Sequence, residues 1–314
     1  MPSPDAPSSA RPLVWLPFDV SELGDVPESL RYETVRLREV ADLPPSADEV
    51  ELYVPAYDVG RGQGPLLARM PRLRVVQTLT AGVDHVRDEV PEGVLLCNGR
   101  GIHNASTAEL ALTLTLASLR GIPGFVGDQR AGRWNQGWRP SLADSTVLIV
   151  GYGDIGRDTE RRLLPFEVEV LRVARTPRPG VHGLEDLPAL LPRADVVILI
   201  LPGTTETRGL VDASFLGSMK PGALLVNVAR GSVVVTEDLL AALEEGRVRA
   251  ALDVTDPEPL PEGHPLWSAP NLLLTPHVGG ATPAMWPRAH RLVREQVERF
   301  AAGDPLVNVM TGEY

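Results

Sequence analysis

Gly151-Tyr152-Gly153-Asp154-Ile155-Gly156, set directly behind the apolar run Thr146–Val150, constrains this 314-residue chain more than any other segment. A strand that turns at once into a helix needs glycine where backbones crowd. Gly151 permits the tight turn, Gly153 lets the main chain approach a pyrophosphate, and Gly156 lets helix and sheet pack closely. The predicted helix runs to Leu164 and is stopped by Pro165, and its free N–H groups suit phosphate oxygens. Predicted dinucleotide contacts therefore begin with Gly151, Gly153, Asp154, Ile155 and Gly156.

The rest of the chain reads as two α/β series. Six strands are predicted around the glycine motif, at Thr146–Val150, Val168–Ala174, Asp195–Leu201, Ala223–Val228, Val248–Asp253 and Leu272–Thr275. Several are apolar without alternation, as parallel strands covered on both faces should be. Before them, shorter strands are predicted at Leu13–Leu16, Val50–Val54, Val75–Leu79 and Val94–Cys97, with a helical stretch at Gly64–Met70. Ala105–Leu119 predicts a helix apolar on every side, and such a helix must be covered between domains or by another subunit. Gly121 and Pro123 are expected to close it, and Gly124–Pro140 reads as a connection. A helix over Glu237–Glu245 is expected to be capped by Thr236, and a last one over Pro287–Ala302 to return to the first series.

The end of the second predicted strand bears on the cofactor. An NAD site normally has an acid there for the ribose 2′-hydroxyl. Here Ala174 occupies that place, eighteen residues after Gly156, and Arg175 and Thr176 follow. A guanidinium suits a 2′-phosphate, so NADP is favoured over NAD.

Three later segments each offer one group fit for acid–base or anion work. Arg230 follows the strand ending at Val228, Glu258 sits in Asp253-Val254-Thr255-Asp256-Pro257-Glu258, and His277 in Thr275-Pro276-His277-Val278-Gly279. Ligands of open α/β sheets bind beyond the carboxyl ends of strands, where these residues fall. Net charge is −11 with no basic run, which argues against a nucleic-acid partner and makes single arginines in pockets informative. The one cysteine, Cys97, permits no intrachain disulfide. A reducing, cytoplasmic setting is expected, and the Ser/Pro/Ala-rich stretch Met1–Pro12 is not read as a secretory signal. Lys220, the sole lysine, sits in a helix-ending turn and is not expected to do Schiff-base chemistry.

In this order the motifs resemble the D-isomer-specific 2-hydroxyacid dehydrogenase family. The likeness runs from Thr80-Ala81-Gly82-Val83-Asp84 through Ser106-Thr107-Ala108-Glu109, the glycine motif and Leu201–Thr207 to Thr275-Pro276-His277, and the first fifty residues carry little of it. It implies two Rossmann-like doubly wound domains: a flavodoxin-like substrate domain (residues 1–100 and 286–314) with the dinucleotide domain (101–285) inserted into it. It also implies a homodimer formed through the apolar helix, and Arg230, Glu258 and His277 as the catalytic set. The backbone at Ala81, Gly82 and Val83 would form a carboxylate clamp, with Arg230 and His277 also meeting substrate. Pro202, Thr207, Val228, Ala229, Arg230, Asp253, His277 and Gly279 would line the cofactor, Asp253 at the carboxamide.

The implied reaction is hydride transfer between NAD(P)H and C2 of a small anionic 2-oxo or 2-hydroxy acid, of the NADP-dependent glyoxylate/hydroxypyruvate reductase type. No metal is called for, nor a membrane. Phosphoglycerate or phosphite as substrate, or an NAD(P)-sensing binding protein without turnover, remain as alternatives. The chain closes soon after its return helix, so the longer allosteric phosphoglycerate dehydrogenases are expected to match poorly. Trp134, Trp138 and Trp286 are candidates for lining a side-chain pocket.

Overall fold

In the computed structural model, residues 11–57 and 62–312 are described; the first ten residues of the Ser/Pro/Ala-rich stretch lie outside them. The chain divides into two units, one made of the segments before His103 and after Met285, the other of His103–Met285.

The first unit holds a five-stranded parallel sheet, built from β1 (Leu13–Leu16), β2 (Arg31–Thr34), β3 (Val50–Tyr53), β4 (Val75–Gln77) and β5 (Leu95–Cys97). Its strand order is β2-β1-β3-β4-β5, the flavodoxin order. β2 was not predicted: Arg-Tyr-Glu-Thr is polar, and as an edge strand it is only partly buried. The α-helices are α1 (Gly64–Leu67) and the long α8 (Met285–Ala302), which from Trp286 on belongs to this unit. α8 is tied to the sheet by a buried amide network. Gln296 donates to Gln77 Oε1 at 2.6 Å and to Val307 O at 2.9 Å, and accepts from Val307 N at 2.9 Å. Gln77 in turn donates to the carbonyls of Thr78 and Asn98, at 2.8 and 3.1 Å.

The second unit holds a six-stranded parallel sheet, β6 (Thr146–Val150), β7 (Glu169–Val173), β8 (Val196–Leu199), β9 (Leu224–Asn227), β10 (Arg249–Leu252) and β11 (Leu272–Leu274). The order is β11-β10-β9-β8-β6-β7, which reverses direction at β6. Its helices are α2 (Asn104–Leu119), α3 (Ile122–Arg130), α4 (Asp154–Leu163), α5 (Leu187–Leu190), α6 (Ala213–Ser218) and α7 (Thr236–Glu244).

Three expectations change here. α2 is covered by α4, β9 and β10 of its own unit, so its apolar surface does not by itself require another subunit. The stretch from Gly124 is not all connection, because Pro123 opens α3 rather than closing α2. Proline costs nothing in a first turn, whose N–H has no partner to lose. α7 begins at Thr236 with Val235 as its cap, and the Thr236 hydroxyl donates to Asp256 O at 2.8 Å instead. No single helix among the described residues is long and apolar enough to cross a membrane.

Because every polar atom of the Gln77–Gln296 pair is matched, truncating one side strands the other. Gln296→Ala is expected to cost about 2 kcal/mol of stability, read as a lowered midpoint in urea denaturation.

Candidate functional site

The carboxyl edge of the six-stranded sheet gathers the predicted residues of the second unit. Gly151 adopts φ +110°, and a Cβ there would stand 2.4 Å from Ile200 O behind β8; a Cβ at Gly156 would stand 2.5 Å from Gly151 O. Both positions therefore require glycine for packing. Gly153 differs, since nothing lies within 4 Å of its absent Cβ. It is the N-cap of α4, and no side chain caps the helix. An open glycine beside uncapped helical N–H groups fits a pyrophosphate. Ile155 and Asp154 are half-buried at the helix start, where Asp154 pairs with Arg157.

At the end of β7, Arg175 and Thr176 are exposed. Arg172 is committed to Glu160, with Nε at 2.9 and 3.0 Å from the two carboxylate oxygens. Arg178, which sequence reasoning passed over, donates to Tyr152 O of the glycine turn at 2.8 Å and lies 5.7 Å from the Tyr152 ring centroid. Arg175 makes no hydrogen bond or ion pair among the described residues, so its charge is unspent.

β9, β10 and β11 run in matched register, with Asn227 beside Leu252 and Leu252 beside Leu274. The segments carrying Arg230, Glu258 and His277 thus leave three adjacent strand ends, spaced by roughly 4.8 Å each. Arg230 is placed by Asn227, a fully buried side chain whose Nδ2 donates to Arg230 O at 2.9 Å and whose Oδ1 accepts from Ala229 N at 3.0 Å. Val228 and Ala229 are buried beneath it. Gly203, next to Pro202, leaves room for the Arg230 stem, 3.1 Å from where a Cβ would be. Gly231 is tighter still: a Cβ would stand 1.9 Å from Thr255 O.

Asp253 does more than the sequence suggested. It is 2% exposed, and its carboxylate accepts from Thr275 Oγ1 at 2.6 Å, Val278 N at 2.9 Å and Gly279 N at 2.8 Å. Its own carbonyl accepts from His277 N at 2.7 Å. Those bonds hold the turn in which His277 sits at φ +53°, a left-handed conformation that a non-glycine residue adopts only when its surroundings enforce it. Thr207 likewise serves its own loop, donating to Pro202 O at 2.7 Å and accepting from Thr204 N at 2.9 Å.

His277 Nδ1 is hydrogen-bonded to Glu258 Oε1. That bond raises the imidazole pKa above its ordinary value; partial burial opposes it, Glu258's charge adds to it, the charge of Arg230 opposes it and that of Asp253 adds a little. Because the folded value is the higher one, the pair's contribution to stability is complete below the ordinary histidine range and fades as pH rises through the folded value. With Nδ1–H held by the carboxylate, Nε2 can present a proton to a ligand. Ala81, Gly82 and Val83 belong to the first unit, on the loop behind β4. The loop is braced by Asn98, whose Nδ2 donates to Ala81 O at 2.9 Å, and by Gly99, whose Cβ would stand 2.5 Å from Leu79 O. Trp134 and Trp138 are 95% and 99% exposed. Among the described residues no cluster of three potential metal ligands occurs.

A glycine-turn helix and an imidazole–carboxylate–guanidinium set on one parallel edge define a nicotinamide dinucleotide-dependent oxidoreductase. Residues 112–279 match the family described as D-isomer specific 2-hydroxyacid dehydrogenase, NAD binding domain, and this chain belongs to that family. Glyoxylate reductase/hydroxypyruvate reductase of Mus musculus is 40% identical over 225 residues, covering 67% of this chain and 68% of that one. Glyoxylate reductase of Thermofilum pendens is 33% identical, covering 97% and 93%. A crystal structure of a D-isomer specific 2-hydroxyacid dehydrogenase from Xanthobacter autotrophicus, in complex with NADPH and MES, is 33% identical with a TM-score of 0.81, covering 96% and 98%. An NADPH-dependent glyoxylate/hydroxypyruvate reductase from Sinorhizobium meliloti, in complex with NADP and malonate, is 28% identical with a TM-score of 0.79, covering 97% and 98%.

Gly231→Ala should drive the Arg230 and Thr255 segments apart by an ångström or more. The expected result is a fall of about 100-fold in kcat/KM with the circular dichroism spectrum retained.

Proposed function

We propose that the protein reduces a small 2-oxo acid at C2, with glyoxylate and hydroxypyruvate as substrates and NADPH as the preferred reductant. The observation that carries the reading is the His277–Glu258 pair standing one and two strand ends from Arg230. The named reductases among its relatives support the substrate class, and neighbours titled as NADP or NADPH complexes support the cofactor.

The bound reduced nicotinamide supplies the hydride. As negative charge grows on the substrate's C2 oxygen, His277 donates a hydrogen bond and then the proton from Nε2. Glu258 keeps the proton on Nδ1 and stabilises the imidazolium beforehand. Arg230 offsets the developing charge and holds the C1 carboxylate. The backbone of Ala81, Gly82 and Val83 is an anion clamp belonging to the first unit. In this reading the first unit is the substrate domain and the second the cofactor domain. Gly151, Gly153 and Gly156 accommodate the pyrophosphate, and Pro202, Thr207, Val228, Ala229, Asp253 and Gly279 shape the trough toward the nicotinamide. Arg175, with Thr176 and Arg178, grips the 2′-phosphate; no acid stands at 174 to repel it.

The homodimer expectation moves from α2 to the neighbouring surface. Ile122 and Val126 of α3 are 48% and 39% exposed and Trp134 and Trp138, in the segment that follows α3, are 95% and 99% exposed, apolar surface that a second copy of this chain would cover. Trp134→Ala/Trp138→Ala is expected to convert a dimer into a monomer in light scattering, and an unchanged mass would reject this interface.

Absorbance at 340 nm should fall when NADPH is mixed with glyoxylate or hydroxypyruvate; no oxidation of NADPH or NADH across 2-oxo acids would reject the function. His277→Asn should lower kcat by about 100- to 10,000-fold with NADPH affinity retained. Arg175→Ala should weaken NADPH binding roughly 10-fold or more while leaving NADH within twofold. Equal losses would reject the cofactor preference.

A further inference from the structure

Within the glycine turn one position carries a large side chain, Tyr152, and both its ring and its carbonyl are in use. The ring is fixed by α4. Its hydroxyl donates to Glu160, a residue only 7% exposed whose carboxylate also accepts from Arg172 Nε at 2.9 and 3.0 Å. The Arg172 guanidinium lies over the same ring, 5.8 Å from its centroid. Burial first, and then Glu160, push the phenol pKa above its ordinary value, so the hydroxyl remains a donor. The main chain is held as firmly, since the amides of Gly151 and Tyr152 both donate to Val173 O, at 2.9 Å each. The glycine turn and the end of β7 are thereby one body.

Behind β7 the chain makes a closed excursion. It leaves at Ala174 and returns at His182: the Ala174 amide donates to His182 O at 3.0 Å, and the His182 amide donates to Arg172 O at 2.8 Å. At its tip Arg178 and Val181 exchange main-chain bonds at 3.0 and 2.8 Å around Pro179 and Gly180, the glycine at φ +78°. Proline at the first corner and a left-handed glycine at the second are what such a turn takes. The turn places Arg178 without aiming its guanidinium, because the residue is exposed and a long side chain in water samples many rotamers. Tyr152 aims it. Arg178 Nη2 donates to Tyr152 O at 2.8 Å, Nη1 donates to Thr176 O at 3.3 Å, and the guanidinium carbon stands over the Tyr152 ring at 5.7 Å. A guanidinium has more N–H groups than these two carbonyls use, and the rest are left for an anion. Arg175 and Thr176, both exposed, stand on the same excursion.

We propose that Tyr152 is a positioning residue for cofactor choice: its ring and carbonyl hold Arg178 in place for the 2′-phosphate, so that NADPH meets an arginine already ordered. The inference rests on the reading that Arg175 and Arg178 grip that phosphate. A cation over an aromatic ring gains modest energy in water, and a side chain ordered beforehand loses less freedom when the ligand binds. NADH carries no phosphate at this position and gains nothing from the arrangement.

The test measures dissociation constants of NADPH and NADH by calorimetry for the wild type, Tyr152→Leu, Tyr152→Phe, Arg178→Ala and the Tyr152→Leu/Arg178→Ala pair. Tyr152→Leu keeps the carbonyl and loses the ring; it should weaken NADPH about fivefold and NADH less than about twofold. Tyr152→Phe keeps the ring and should bind both cofactors as the wild type does. Arg178→Ala should weaken NADPH at least as much as Tyr152→Leu, and adding Tyr152→Leu to it should cost nothing more, because the group being positioned is gone. Equal losses of the two cofactors, or a loss that persists in the absence of Arg178, make Tyr152 a support of the glycine turn alone and overturn the inference. So does a leucine variant that binds NADPH normally, or a phenylalanine variant as weak as the leucine one. An Arg178→Ala variant whose preference for NADPH over NADH is unchanged overturns the reading of Arg178 as well.

Discussion

The matched register of three neighbouring parallel strands is the constraint on which the site depends. Leu252 aligns with Asn227 on one side and Leu274 on the other, so β10 and its two neighbours end level. Each strand releases its chain at the same edge, and a side chain a few residues further on is held within reach of its neighbour. Chemistry that needs groups from positions 230, 258 and 277 is thereby assembled without any local sequence proximity.

Level strand ends are not enough to aim side chains, and buried polar groups finish the work. Asn227 closes the turn under Arg230 from both its amide atoms, and Asp253 pins three donors of the 275–279 turn. Both side chains are almost wholly withdrawn from water, where an unmatched partner would be costly, so each turn has one low-energy arrangement. The charged groups above them remain more open: His277 and Glu258 keep 45% and 40% of their side-chain surface exposed. A rigid buried layer under a solvated reactive layer lets the imidazole exchange protons while its ring stays oriented.

What the sequence disclosed follows from how each feature encodes itself. Gly151, Gly153 and Gly156 were legible because backbone crowding admits one residue type, and the long apolar strands because both their faces are covered. β2 was invisible because an edge strand such as Arg31–Thr34 needs no apolar run. α3 was missed through Pro123, since the same residue that ends a helix is also at home in a first turn. Arg230, Glu258 and His277 stood out only through their joint order. Asn227 and Asp253 were inside the quoted segments, yet their positioning roles depend on turns that strands far apart in sequence bring together. Tyr152 fills a position of the glycine motif that the motif leaves open, and no spacing rule links it to Glu160, Arg172 and Arg178.

The most direct test of the account is the pH dependence of kcat/KM for NADPH-driven glyoxylate reduction in the wild-type protein and in Glu258→Gln. If a protonated His277 poised by Glu258 delivers the proton, the wild-type profile is flat at low pH and falls through a single ionisation above the ordinary histidine value near 6.5. In the variant the same break moves to lower pH. A break that stays in place when Glu258 is neutralised, or a profile without any ionisation in that range, contradicts the account.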